Sequence, residues 1–133
     1  MKKNIQTLIE EFIAQVYISS EKFDYTDKVA RKRHNAAIHK YRAIAKKIAQ
    51  DSTEVCEEFM QLLKNPSEDV AVACAVCIIE LMAHTPEQYA MAVARIEEFV
   101  KTSNNQELVL GFEFYLKDLK RRYADQTGNE STR

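Results

Sequence analysis

Residues 65–81 read NPSEDVAVACAVCIIEL. Asn65, Pro66 and Ser67 make a turn, two acids follow, and ten consecutive apolar residues then run from Val70 to Ile79. A helix that is apolar nearly all round must be covered on most of its sides, and ten residues fall well short of the ~20 that a bilayer crossing needs. The stretch therefore predicts one buried helix with a marked start and other helices packed around it.

Outward from this helix the apolar spacing stays helical in both directions. A first helix opens at Asn4, a good N-cap, and carries Ile5, Leu8, Ile9, Phe12, Ile13, Val16 and Tyr17 on one stripe before ending near Ser19 to Lys22. The second follows the polar stretch Asp24 to Asp27 and runs to about Gln50, with Ala30, His34, Ala37, Ile38, Tyr41, Ile44, Ala45 and Ile48 on its apolar face. Asp51 with Glu54 opens a third, which carries Val55, Phe59, Leu62 and Leu63 as far as Asn65. The apolar segment is the fourth helix. Thr85, Pro86 and Gln88 then supply an N-cap, a proline at the first helical position and a capping-box partner, predicting a fifth helix to about Lys101. The sixth places Leu108, Phe112, Tyr115, Leu116, Leu119 and Tyr123 on one face, and Gly111 within it predicts close packing at that point.

These segments predict an all-α domain over residues 1–123, six helices in three antiparallel pairs, with residues 124–133 as a disordered tail. Only two Gly and two Pro in 133 residues leave little material for hairpins. The opening MKKNIQTLIEEF has acids inside its apolar run and no small-residue cleavage site, so no signal peptide is expected. Three cysteines, two of them within the apolar helix, suit a reducing cytoplasm better than a disulfide framework.

The segment from Phe59 to Leu81 resembles a HEAT repeat. The first helix of the repeat ends in Leu62 and Leu63, Asn65 and Pro66 make the turn, and Asp69 and Val70 open a second helix with Ala73, Val76 and Cys77 at its small and apolar positions. Ala71 stands where HEAT repeats usually carry Arg. Over Ile5 to Tyr123 the order of elements is similar to a small bacterial family of single HEAT-like domains of unknown function. The likeness is carried by Asn35 with Ile38 to Tyr41, the LLKNPSEDV turn, the Pro86 helix start, and Gly111 with Phe112. That resemblance implies a short right-handed α-solenoid whose second helices line a concave face, and proteins of this type mostly bind other macromolecules.

Catalytic and metal signatures are not expected. Cys74 and Cys77 form a CxxC, but at i and i+3 of an apolar helix they serve packing rather than metal or redox chemistry. The three histidines lack metal spacing: His34 is expected to be a hydrogen-bonded core residue, His39 to face outward, and His84 to end the fourth helix. Neither a phosphate loop nor a nucleophile elbow is present, so no enzyme and no cofactor is expected.

Two features point to binding. Helical wheels leave Val72 and Val76 on the fourth helix, and Leu110 and Phe114 on the sixth, on a spare apolar stripe flanked by Lys117 and Arg121. This predicts a protein-binding face, with an adaptor or inhibitor role, including immunity or antitoxin function, as the matching class. Separately, Lys28 to Gln50 holds eight Lys or Arg and no acid, whereas Asp51 to Val100 holds ten acids against Lys64 and Arg95. The basic surface of Lys28, Lys32, Lys40, Lys46 and Lys47 makes nucleic acid the alternative partner. Mutual compensation between the basic and acidic segments is the competing explanation.

Overall fold

The computed structural model describes the backbone of residues 4–131 and the side chains of residues 4–123. Six α-helices and no strand occur among them: α1 (Ile5–Ser19), α2 (Lys28–Ala49), α3 (Thr53–Met60), α4 (Glu68–Leu81), α5 (Pro86–Thr102) and α6 (Gln106–Ser131). A single 3-10 turn, Gln61–Lys64, links α3 to α4. The sequence-based expectation of a disordered tail concerns residues 124–133, whose side chains lie outside the described part, and the α6 backbone continues to Ser131.

The helix starts follow from short side chains that accept otherwise unpaired backbone N–H groups. Asn4 Oδ1 accepts from Thr7 N at 2.8 Å. Thr85 Oγ1 accepts from Gln88 N at 3.1 Å while Gln88 Oε1 accepts from Thr85 N at 2.9 Å, completing the capping box. At α3 the cap is Ser52 and not Asp51. Its hydroxyl accepts from Val55 N at 3.2 Å, and Asp51 is spent on the Ser52 N–H at 2.7 Å. The third helix is also shorter than its apolar spacing predicts. Asn65 must be extended because Pro66 follows it, so the chain tightens into the 3-10 turn that carries Leu62 and Leu63 into the core.

The core gathers on α4. Val70 to Ala75, Cys77 and Ile78 are all buried, and α4 packs against α1, α2, α3, the 3-10 turn and α5. Val72, placed on the spare outer stripe by the helical wheel, is a core residue with 5% exposure. When nearly every position of a helix is apolar, the wheel carries little information about which way it faces. Beneath α4, Phe12 of α1 meets Tyr41 of α2 and Phe59 of α3 edge-to-face, at 5.4 and 4.9 Å between ring centroids. Burial pushes the Tyr41 hydroxyl and the Cys77 thiol up to about 12 each, and holds the Cys74 thiol well above its ordinary range. Both thiols of the CxxC are thus protonated packing groups, and Cys74 Sγ lies 3.6 Å from the Phe59 carbonyl oxygen.

Because Phe12 is fully buried and joins three helices, Phe12→Ala is expected to lower unfolding free energy by about 3–5 kcal/mol in a urea titration. A loss below about 1 kcal/mol, the scale of an ordinary surface change, would contradict this assignment of the core.

Candidate interaction surface

One strip of α4 reaches solvent beside α6: Asp69, the half-buried Val76, and Glu80. This strip faces α6. Among the described residues no Cα of α6 comes within 8 Å of one on α4, so the two helices meet through side chains alone. Glu80 makes the connection. Tyr115 Oη donates to Glu80 Oε2 at 2.6 Å, and the Arg122 guanidinium reaches the same carboxylate at 3.1 and 3.3 Å. Arg122 Nε also donates to Asp118 Oδ2 at 2.8 Å, and its guanidinium lies over the Tyr115 ring. Desolvation works to raise the Glu80 pKa, but hydrogen bonds from Arg122 and Tyr115, with the nearby charges of Arg122 and Arg42, hold it below the usual carboxylate range. Asp118 is held down as well, first by its hydrogen bond from Arg121.

Where the two helices stay apart, a cavity of about 260 Å³ opens, lined by Val76, Gly111, Phe112 and Tyr115. Gly111 does not serve the close packing its sequence position predicts. A Cβ built on it meets nothing within 4 Å, so inside this chain the glycine only weakens its helix, by about 1 kcal/mol against alanine. Next to the cavity, Leu110 and Phe114 are 55% and 61% exposed, and Lys117 Nζ sits 5.8 Å from the Phe114 ring centroid. Arg121 is held by Asp118 at 2.7 Å. Of the residues assigned to a protein-binding face, Val76, Leu110, Phe114, Lys117 and Arg121 are accessible and Val72 is not.

The sixth helix departs from its predicted stripe at both ends. Leu108 and Tyr123 are exposed, because α6 packs closely on α5, meets α4 only through side chains, and has only the middle of its apolar face, around Phe112 and Leu119, covered. Tyr123 instead stacks at the surface on Tyr89, which in turn stacks on His84. The His84 Nδ1 faces the carbonyl oxygens of Ile78 and Met82 at 3.1 and 3.0 Å. A carbonyl can only accept, so this nitrogen carries the proton and caps the end of α4. His34 is half-buried, as its place on the apolar face requires. Its Nδ1, however, has no hydrogen-bond partner among the described residues, and its ring packs on Phe23 at 4.8 Å.

On α2, Lys28, Lys32, Lys40, Lys46 and Lys47 are all exposed. Compensation by the acidic segment does not take the form of ion pairs: among the described residues, the one salt bridge made by α2 joins Arg33 to Glu21 at 2.8 Å. A second, larger depression of about 400 Å³ lies over α3, lined by Glu54, Val55, Glu57, Glu58 and Gln61. It is wide open and carries no cation or nucleophile. Among the described residues, no group of three or more His, Cys, Asp or Glu is placed to hold a metal ion, and no helix is long and apolar enough to cross a membrane. Set against protein-family models, curated proteins and solved structures, the chain matches none.

Glu80, Tyr115 and Arg122 are 35 and 42 positions apart and leave no local pattern to find. A group whose folded pKa is depressed adds stability above its ordinary pKa, and that contribution is lost as pH falls through the folded value. Glu80→Gln is therefore expected to be less stable than the parent at pH 7. The gap should narrow as pH drops below about 4.5, the ordinary value for Glu. Urea midpoints measured across that range check both parts, and a gap independent of pH would contradict the assignment.

Proposed function

We propose that this chain is a non-enzymatic protein-binding module, an adaptor or inhibitor of the size and type of an immunity or antitoxin protein, acting in a reducing cytoplasm. On the HEAT-like reading the six helices would form a short right-handed solenoid of three antiparallel pairs, with α2, α4 and α6 toward one side. The observation that carries the proposal is the pair Leu110 and Phe114. Two large apolar side chains stand one helical turn apart, mostly exposed, beside an open apolar cavity and a lysine. Contiguous exposed apolar surface of this kind marks interaction sites, and aromatic anchors near a cation are enriched among the residues that dominate binding energy. Next to it, Glu80, Tyr115 and Arg122 satisfy one another across the gap, which holds α6 in place beside α4.

Phe114→Ala is expected to weaken partner binding by about 2 kcal/mol, roughly 30-fold. The unfolding midpoint should change within the range of a surface substitution, about 0.5 kcal/mol. Affinity isolation with the parent and variant, each also melted, tests both. An unchanged partner affinity would remove Phe114 from the interface.

One observation favours a second reading, a nucleic-acid-binding module. Seven of the eight basic residues of α2 have no ion pair among the described residues, and the helix carries no acid. If phosphate is the ligand, log K should fall with log salt by about 0.9 for each phosphate neutralised on duplex DNA. Replacing Lys28, Lys32 and Lys46 together by Gln should then flatten that slope by about 3. A duplex that fails to bind at low salt would dispose of this reading.

A further inference from the structure

Gly111 forms the open wall of the cavity between α4 and α6, and nothing in the chain occupies the space its missing side chain leaves. A glycine at such a point lets a second backbone come close. The surroundings describe what that second segment looks like. On one side stand the exposed apolar groups Leu110 and Phe114. On the other, α2 presents a single arc of cations at helical spacing, Lys28, Lys32, Arg42 and Lys46, without an acid on the helix. The arc adjoins the cavity because α2 packs directly on α4, and the charge of Arg42 favours the ionised form of Glu80. The acids bordering the cavity on α4 and α6, Glu80 and Asp118, are already engaged by Arg122 and Arg121. Asp69 and Glu107 stand in the first turns of their helices, where the helix dipole favours a negative charge. Against the exposed Asp69, Glu107 and Glu113 stand Lys28, Lys32, Arg42, Lys46 and Lys117, none of them in an ion pair among the described residues, so cations predominate along the face.

We propose that this face receives one acidic amphipathic helix from a partner protein, with its apolar side packed against Val76, Gly111 and Phe114 and its carboxylates turned toward α2. The inference rests on the protein-binding reading and specifies the occupant. A helix laid in a groove uses apolar anchors for affinity and flanking charges for orientation and choice of partner. Polyanionic nucleic acid would answer the basic arc but has no use for the adjoining apolar cavity.

The test uses two labelled synthetic helices of about 18 residues, long enough to hold helical structure, with the same Leu and Phe face and either Glu or Lys at every flanking position. Their binding to the full chain is followed by fluorescence anisotropy, beside a single-stranded oligonucleotide of equal charge. The Glu helix should bind at least about 10-fold more tightly than the Lys helix, with an advantage that shrinks as salt rises. Gly111→Met should reduce that binding at least about 10-fold by filling the cavity, and Arg42→Gln with Lys46→Gln should remove the preference for Glu. Gly111→Ala and Gly111→Met should both melt at or above the parent temperature, since each replaces a helix-weakening glycine in open space. Equal binding of the two helices, binding of neither, indifference to Gly111→Met, or capture of the oligonucleotide in their place would each overturn the proposal. A natural partner that is lost with Phe114→Ala but kept by Gly111→Met would preserve the protein-binding reading while refuting this occupant.

Discussion

The structure depends on burying α4 from almost every direction. A helix with six consecutive buried residues, Val70 to Ala75, cannot sit at the edge of a bundle. Its small side chains make the crowding possible: Ala71, Ala73, Ala75, Cys74 and Cys77 let α1, α2, the 3-10 turn and α5 approach closely. The same demand fixes the rest of the surface. The strip of α4 formed by Asp69, Val76 and Glu80 is left partly uncovered and is bordered by α6, and the wide spacing of those two helices leaves the apolar cavity there.

Much of this was legible in the sequence because helix starts are local events. Asn4 and the Thr85, Pro86, Gln88 group each satisfy backbone donors within three residues, so their effect can be read from neighbouring letters. Where two caps compete, adjacent letters do not decide, and Ser52 rather than Asp51 begins α3. Orientation was less accessible. On α6 the alternation of apolar and charged residues correctly placed Leu110 and Phe114 outside, whereas on α4 apolar residues at every position sent Val72 to the wrong side. Nothing in the chain announces that Glu80 joins Tyr115 and Arg122, because a contact across 35 or 42 residues exists only once the intervening helix α5 has turned the chain back.

The cations of α2 shape that helix as well as its surface. Lys28 and Lys32, and Arg42 and Lys46, are like charges four residues apart, an arrangement that opposes helix formation. Only Asp27 at the N-cap and Lys46 and Lys47 in the last turn work with the helix dipole. The helix is therefore held by its other face, where Ala37, Ala45 and Ile48 are buried and Tyr41 packs on Phe12. Apolar contact on one side stabilises a charge array on the other that the segment alone would resist.

The position of α4 in the chain sets a constraint during synthesis. As the nascent polypeptide emerges, α1, α2 and α3 precede α4, so Phe12 and Phe59 are already present as a bed for one of its sides. The side that meets α5 stays bare until residues 86–102 have left the ribosome, an interval on the order of seconds at ordinary elongation rates. Throughout that interval a nearly all-apolar helix is half covered, the kind of transient surface that recruits chaperones or aggregates. The self-contained capping box at Thr85 bears on this directly, because it starts α5 from its own first turn without waiting for a tertiary partner.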